Sequence, residues 1–165
     1  MGKSLIEIAK AVIQTEADSV LLLKDRIDQK FDEICHLIRL CKGKVILVGM
    51  GKSGHIAKKI ASTLASTGTP SFYLHPGEAG HGDLGMINSN DVVIMISYSG
   101  ESDEIISLLP GIKRIHTPII SMTGNINSTL AMASEFHLDV SVNKEACPNN
   151  LAPTSSTTAA LVMGD

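Results

Sequence analysis

Apolar residues follow two different spacing patterns along the chain, and the pattern changes near residue 43. In residues 1–42 they recur three or four positions apart, as on one face of an amphipathic helix. This spacing predicts two helices, or one kinked helix. From Lys44 onward, short β-branched or apolar runs are separated by helix-length stretches. The pattern predicts five strands, at residues 45–48, 72–74, 92–96, 119–122 and 136–140.

The predicted strands carry the main information about the fold. Several are continuously apolar rather than alternating, which is expected for strands that are buried on both faces of a parallel sheet. Helix-length segments between them predict a three-layer α/β/α sandwich with a five-stranded parallel sheet, preceded by the N-terminal helices. With 165 residues the chain has room for one domain, with helices at 1–42 and sheet and helices at 44–165. Ligands on such sheets bind beyond the carboxyl ends of the strands, so the loops that follow the strands are the candidate sites.

Composition narrows the classes of function. The chain has 14 Lys and Arg residues and 17 Asp and Glu residues, which gives a net charge of -3. It therefore lacks the excess of positive charge that is typical of proteins that bind nucleic acid. Trp is absent and only 3 Phe and 2 Tyr are present, so stacking platforms for bases are scarce. No apolar run reaches the length of a membrane span. We therefore expect a small-molecule ligand, with no nucleic-acid or membrane partner.

The cysteines and the N-terminal helices bear on location and assembly. Cys35, Cys41 and Cys147 form an odd set without a C-x-x-C pair, which favours a reducing compartment. Because the N-terminus also lacks a signal-peptide core, we expect a cytoplasmic protein. The amphipathic N-terminal helices carry more apolar surface than a five-stranded sheet can cover, which predicts a homo-oligomer, either a dimer or a tetramer.

Residues 49–54, Gly-Met-Gly-Lys-Ser-Gly, follow the first predicted strand and open a helix. The glycine spacing is that of a dinucleotide-binding loop, but His75 ends the second strand where an acidic residue would hold the ribose. A Walker loop is excluded because Ile46 occupies the place of its first glycine. What remains is a turn in which Lys52 and Ser53 suit a phosphate or oxyanion at a helix N-terminus, or a tight turn with Lys52 in solvent.

Hydroxyl groups are concentrated in two further loops. Residues 97–104 follow the most apolar strand, and residues 154–158 open the last predicted helix. Hydroxyls and free amides at a helix start can surround a phosphate without a buried positive charge. Each loop alone is more typical of helix capping. Two such loops at the same edge of one sheet predict an anion-binding site.

Carboxylates beside such a site are candidates for a general base. Glu101 and Glu104 share one face of a helical first turn, and Glu145 lies in the loop after the last strand. Desolvation and a neighbouring anion would both raise the pKa of such a group toward neutrality. The residue pattern leaves two other roles open, namely helix-dipole stabilisation for the first two and a solvated loop position for Glu145.

Residues 75–83 place two imidazoles and two carboxylates in a Gly-rich loop. His, Glu and Asp are all metal ligands, but their spacing here is not diagnostic of a structural zinc site. The favoured interpretation is that His75 and His81 contact substrate hydroxyls. The second interpretation is that His75 binds zinc adventitiously or as an inhibitor.

Taken together, these loops resemble a known family. The segments GMGKSGH, HPGEAGHGDLGM, SYSGES, KEACP and LAPTSSTT match, in order and spacing, the sugar isomerase (SIS) domain of bacterial arabinose-5-phosphate isomerases. The resemblance covers essentially the whole chain. It implies a flavodoxin-like sandwich that interconverts D-ribulose 5-phosphate and D-arabinose 5-phosphate by enediol proton transfer, a step toward Kdo of lipopolysaccharide or capsule.

The same resemblance implies roles for individual residues. It carries over Lys52, Glu104 and Glu145 as catalytic residues, His75 as a substrate and non-essential zinc contact, and His81 as a substrate contact. No cofactor is required by this chemistry. Together with the loop analysis, it predicts substrate contacts at Gly51, Ser53, His75, His81, Ser97, Ser99, Glu101, Ser102, Thr154, Ser155, Ser156 and Thr157.

Members of the family normally continue into a final helix, a segment with another catalytic histidine and often a pair of CBS domains. The chain is therefore expected to be the SIS domain alone, with ring opening dependent on that histidine or on a neighbouring subunit. Two alternatives remain open. The first is a non-catalytic sugar-phosphate sensor, because SIS domains also serve in regulators. The second is an NAD-binding domain, which the glycine spacing favours and His75 opposes.

Overall fold

The computed structural model describes residues 4–165 of the chain. Two helices joined by a 3₁₀ turn precede the first strand, as the helical spacing of residues 1–42 predicts, and residues 1–3 of that stretch lie outside the described part. Their bounds are Leu5–Leu21 for α1, Leu22–Arg26 for the 3₁₀ turn and Gln29–Leu40 for α2.

One parallel sheet of five strands forms the centre of the molecule, in the order β2-β1-β3-β4-β5. Every strand lies where an apolar run predicts it, and the predicted α/β fold class is confirmed. The strand bounds are Val45–Gly49 for β1, Ser71–Leu74 for β2, Val92–Ile96 for β3, Ile119–Thr123 for β4 and Phe136–Asp139 for β5.

Helices connect the strands, as parallel neighbours require. In the described part of the chain, six helices follow β1, and all except the last lie between two successive strands. A second 3₁₀ turn, Asp83–Met86, precedes β3. The helix bounds are Gly51–Ser66 for α3, Pro76–Gly80 for α4, Asp103–Ile106 for α5, Leu109–Ile115 for α6, Thr129–Ala133 for α7 and Ser155–Gly164 for α8.

Side chains of each central strand enter two separate apolar cores. In β1, Val45 and Leu47 pack into one core with residues of α2, α3 and α8, whereas Ile46 and Val48 pack into another with residues of α5 and α6. All residues of β1, β3 and β4 are buried. The runs are therefore continuously apolar because helices cover both faces of the sheet.

From β1 the chain adds β2 on one side and then returns to add β3, β4 and β5 on the other side. The direction of strand addition therefore changes between β1 and β3, which are neighbours in the sheet. The helix that follows β1 contributes Ala57 and Ile60 to one core, whereas α4, on the way to β3, contributes Ala79 to the other. In a sheet of this strand order, ligands bind at the carboxyl ends of the two strands beside the reversal. The loops after Gly49 and Ile96 therefore border the expected crevice.

Helix α1 lies outside the sandwich and packs against α8. The Thr158 hydroxyl of α8 donates a hydrogen bond to the Glu16 carboxylate of α1 at 2.9 Å. Much apolar surface of α1 remains exposed, including Leu5 at 84% and Ile13 at 70%. Among residues 4–165, no helix combines the length and the apolar character that a bilayer span needs.

Removing the cap of α2 is expected to lower the stability of the fold modestly. The Asp28 carboxylate accepts hydrogen bonds from the amides of Lys30 at 2.9 Å and Phe31 at 3.2 Å. Asp28→Ala should reduce the free energy of unfolding by about 1 kcal/mol, measured by urea denaturation. Asp32→Ala removes an exposed carboxylate inside the same helix and serves as the matched control. Equal effects of the two substitutions would exclude the cap as the cause.

Candidate active site

The turn after β1 brings the start of α3 against the end of the strand. A Cβ on Gly54 would lie 2.8 Å from the carbonyl oxygen of Gly49, so glycine is required for this approach. Gly51 begins the helix with a φ of 56°, in the left-handed region. These two features account for the glycine spacing without a dinucleotide. Lys52 is exposed, and Ser53 is half-buried beside the crevice.

The loop after β3 is held together by its own hydroxyls. Ser97 is buried, and its Oγ lies 3.0 Å from the Oγ of Ser102 and accepts a hydrogen bond from the Gly100 amide at 3.2 Å. The Ser99 hydroxyl accepts a hydrogen bond from the Glu101 amide, also at 3.2 Å. These bonds stabilise the turn that leads into α5.

Glu101 extends from this loop to the next crossover. Its Oε1 accepts a hydrogen bond from the Thr129 amide, at the start of α7, at 2.7 Å. That hydrogen bond lowers the pKa of the Glu101 carboxyl below its ordinary value. The carboxylate predicted as a substrate contact thus has a protein partner, and it stabilises the positive end of a helix.

The loop after β5 folds back onto the start of α8 through Glu145. Its Oε2 accepts hydrogen bonds from the Thr154 amide at 2.7 Å, the Thr154 hydroxyl at 2.9 Å and the Ser156 amide at 3.3 Å. Partial burial raises the pKa of Glu145, but the hydrogen bonds from Ser156 and Thr154 outweigh burial and the net pKa is lowered. The start of α8 thus donates hydrogen bonds to the charged form of Glu145, which opposes the rise in pKa that is expected beside an anion.

Two serine hydroxyls in the first turn of α8 make no well-formed hydrogen bond among the described residues, although the Ser156 side chain lies close enough to the Glu145 carboxylate to help lower its pKa. The Oγ atoms of Ser155 and Ser156 are buried and make no hydrogen bond there, and the two residues are 0% and 3% exposed. A buried hydroxyl without a partner is costly, so a ligand that supplies one is favoured. Ser156 also lines a cavity at the positive end of α8.

That cavity brings several of the predicted loops together. It is small, with a volume of about 40 Å³. Ser53 enters it from the turn after β1, Tyr98 from the loop after β3, and Ser156 and Thr157 from the first turn of α8. Three separate loops therefore border one space at the predicted edge of the sheet. Apolar side chains complete the walls: Ile56, Ile96, Met122, Val140, Pro153 and Ala160.

Other predicted site residues lie away from the cavity wall. Glu104 is exposed on α5, and His81 is exposed at the end of α4. Ser97 and Thr154 belong to loops that reach the cavity, but neither lines it. Tyr98 does line it, although sequence reasoning did not assign it a role. The available signal was an aromatic residue two positions after a buried strand in a chain with only 2 Tyr.

The sequence model of the SIS domain family matches residues 38–165, which include all the loops at this edge of the sheet. The chain belongs to the SIS domain family. It is 57% identical over 164 residues to arabinose 5-phosphate isomerase KdsD of Escherichia coli K12, covering 99% of this chain and 50% of that relative. KdsD of Pseudomonas aeruginosa is 58% identical over 160 residues, covering 97% of this chain and 49% of that relative. The chain thus spans about half the length of the curated relatives it matches.

A solved structure shares the whole fold of this SIS domain. E. coli CFT073 c3406 in complex with arabinose 5-phosphate superposes with a TM-score of 0.94 and 43% sequence identity, covering 100% of this chain and 88% of that chain. The sequence and structural matches agree. The resemblance drawn from the loop motifs is therefore confirmed at the level of the family.

His75 of the SIS domain is half-buried at the start of α4. Its Nδ1 accepts a hydrogen bond from the Gly77 amide at 3.1 Å, so in the neutral ring Nε2 carries the proton and is a donor. This arrangement suits a substrate oxygen better than a metal. Among residues 4–165, no group of three or more His, Cys, Asp or Glu side chains is placed to hold a metal ion. The described residues do not fit a resident zinc site, and a zinc contact by His75 alone stays a prediction.

Proposed function

We propose that this SIS domain is an aldose-ketose isomerase that interconverts D-ribulose 5-phosphate and D-arabinose 5-phosphate, a step toward Kdo of lipopolysaccharide or capsule. The observation that carries the proposal is the cavity at the start of α8, on which Ser53, Tyr98, Ser156 and Thr157 converge from three separate segments of the chain. The relatives named KdsD and the arabinose 5-phosphate complex of c3406 support the same substrate.

The phosphate of the substrate binds beside the first turn of α8. The dipole of α8 stabilises its charge without a buried cation. Ser53 approaches the same space from the turn after β1. Holding the phosphate at one end fixes the sugar carbons, so that remote binding energy becomes correct positioning of the reacting carbons.

The reaction moves a proton between two neighbouring carbons of the sugar. A base removes the proton from C2 of arabinose 5-phosphate, the C–H electron pair forms the second bond of an enediolate, and the carbonyl pair moves onto oxygen. Lys52, at the start of α3, supplies the positive charge for that oxyanion. A proton then moves from the C2 hydroxyl to the C1 oxygen, and return of the carbon-bound proton to C1, with formation of the C2 carbonyl, completes the isomerisation. No redox cofactor takes part, because the electrons stay within the sugar.

Of the two candidate bases, Glu104 suits proton abstraction better. The Glu145 carboxylate holds the start of α8, and its lowered pKa makes it a weak proton acceptor. Glu104 is exposed in the first turn of α5, directly after the loop that reaches the cavity. We therefore assign the proton transfer to Glu104 and the positioning of α8 to Glu145.

The proposal includes a homo-oligomer in the cytoplasm, either a dimer or a tetramer. Leu5, Ile6 and Ile13 of α1 are 84%, 68% and 70% exposed, and a second copy of the chain would bury this apolar surface. All three cysteines are unpaired, in keeping with a reducing compartment.

Arabinose 5-phosphate is expected to stabilise this chain and to exchange its C2 proton with deuterated solvent. At a ligand concentration of 100 times Kd, the gain in unfolding free energy is about 2.7 kcal/mol. Thermal unfolding measures the stabilisation, and proton NMR measures the exchange. Lys52→Ala should slow the exchange by about 10²–10³-fold, because the oxyanion loses its cation.

The outcomes separate the proposed function from its alternatives. Stabilisation by arabinose 5-phosphate without proton exchange would favour a sugar-phosphate sensor. Stabilisation by NADH, with no response to arabinose 5-phosphate, would favour a dinucleotide-binding domain.

A further inference from the structure

Helix α3, which opens beside the crevice, carries positive charge and no negative charge. It contains three lysines, Lys52, Lys58 and Lys59, which are all exposed, and no Asp or Glu. Lys59 is compensated, because its ammonium lies 2.6 Å from the Asp165 carboxylate. In the ion pairs of residues 4–165, neither Lys52 nor Lys58 has a carboxylate partner. These two lysines therefore leave α3 with uncompensated positive charge.

The start of the helix adds to this charge. Lys52 lies in the first turn of α3, where the helix dipole is also positive, and that turn has no acidic residue and no side-chain cap. A cation at this end of a helix is unfavourable unless an anion is bound nearby. The start of α3 is therefore electrostatically suited to an anionic ligand.

The ammonium of Lys58 is held near the carboxyl ends of β1 and β2. Its Nζ lies 4.9 Å from the centroid of the Tyr73 ring, in a cation–π contact. The Tyr73 hydroxyl donates a hydrogen bond to the carbonyl of Gly49, the last residue of β1, at 2.8 Å. The same ring meets the His75 ring edge-on, with centroids 6.3 Å apart. The cation is therefore fixed at the edge of the sheet where a ligand is expected.

The opposite side of the crevice is negative. Residues 97–104, after β3, contain Glu101, Asp103 and Glu104 and no Lys or Arg. Because β1 and β3 are neighbours in the sheet, positive and negative groups stand side by side at this edge. A phosphate dianion that approaches the edge is attracted toward α3 and repelled from the loop after β3.

We propose that Lys58 is a capture residue for the phosphate of the ligand. The inference rests on the proposed function, in which the ligand is a phosphorylated sugar. Lys58 stands six residues after Lys52, about 9 Å further along the axis of α3, so it acts on the approaching dianion rather than on the reacting atoms. Its charge raises the association rate of phosphorylated sugars and gives no such advantage to sugars without a phosphate.

Salt screening sets the size of the expected effect. The Debye length is about 10 Å at 0.1 M ionic strength and about 3 Å at 1 M, so the charge of Lys58 reaches the dianion only in dilute buffer. Loss of that charge should slow association about threefold at an ionic strength of about 0.02 M and less than about 1.3-fold at about 1 M. The dissociation rate should hardly change, because the charge acts on the encounter and not through a contact in the complex.

Line-shape analysis of ³¹P NMR titrations with arabinose 5-phosphate measures both rates. Lys58→Gln removes the charge and should show the salt-dependent loss of association rate. Lys58→Arg keeps a cation above the Tyr73 ring and should associate at the wild-type rate. Lys113→Gln is the matched control, because it removes an exposed lysine from the end of α6, which precedes β4 at the opposite edge of the sheet. This control should keep the wild-type rates.

The outcomes separate the capture role from a structural role and from the proposed function. An association rate that is unchanged in Lys58→Gln, or that falls equally in Lys58→Gln and Lys113→Gln, would overturn the capture role. A loss that persists at about 1 M ionic strength or in Lys58→Arg would overturn it as well, because screening and a retained charge should both abolish the effect. A wild-type chain that does not bind arabinose 5-phosphate would overturn the proposed function and the capture role with it.

Discussion

Glu104→Gln is expected to slow deuterium exchange at C2 of arabinose 5-phosphate by about 10²–10⁴-fold while affinity for that ligand changes less than about twofold. The glutamine side chain has nearly the same shape as glutamate but cannot accept the proton. Glu104 is exposed and lies off the cavity wall, so the substitution leaves the phosphate site intact. NMR measures the exchange, and calorimetry measures the affinity.

The neighbouring acid provides the control for Glu104. Asp103→Asn removes an exposed carboxylate from the same first turn of α5. This variant should catalyse deuterium exchange at C2 of arabinose 5-phosphate at nearly the wild-type rate. A comparable loss of exchange rate in Asp103→Asn would show that the rate depends on the total negative charge of this turn and not on Glu104 as the proton acceptor. A large loss in Glu145→Gln with a normal rate in Glu104→Gln would reassign the base to Glu145.

Glu145→Ala is expected to lower the free energy of unfolding by about 2 kcal/mol at neutral pH. Its carboxylate accepts from the amides of Thr154 and Ser156, and without it the start of α8 keeps two donors that lack an acceptor. Glu145→Gln retains an acceptor oxygen but loses the charge, so it should cost less. Urea denaturation measures both variants. Glu104→Gln is the matched control, because it removes an exposed glutamate with little expected change in stability.

The stabilisation of the fold by the Glu145 carboxylate should depend on pH, and the direction of that dependence follows from the lowered pKa. The pKa of Glu145 in the folded chain is below its ordinary value of 4.5, so the folded state binds this proton less readily than the unfolded state. The contribution of the carboxylate is therefore complete above pH 4.5 and is lost as the pH falls through the lowered folded-state pKa. The wild-type chain and Glu145→Ala should thus converge in stability at acid pH. A difference that stays constant or grows on acidification would contradict this assignment of the carboxylate.

Local sequence patterns predicted the elements of the sheet but not all of its helices. The central strands β1, β3 and β4 could be read from mainly apolar runs, because burial on both faces disfavours polar positions. All residues of β3 and β4 are buried for this reason. Helices α4 and α7 have only 5 residues each, too few to display a helical period, and the helical turn predicted to carry Glu101 and Glu104 begins only at Asp103. Their positions depend on the strands that they connect.

By itself, the sequence determined which chemical groups stand at the carboxyl edge of the sheet. Lys52 and Ser53 follow β1, and the serines of 97–102 follow β3, because each loop is adjacent in sequence to the strand that carries it. Parallel strands then bring those loops to one edge.

Only the tertiary structure decided which of these groups face the cavity and which bind the protein itself. Glu145 caps α8, Glu101 caps α7 and Tyr98 holds Val142, and these partners lie 9, 28 and 44 positions apart along the chain. Hydrogen bonds over such separations depend on how whole elements pack, so no periodicity or local motif encodes them. The burial of the Ser155 and Ser156 hydroxyls has the same origin, because it depends on how α8 packs in the fold.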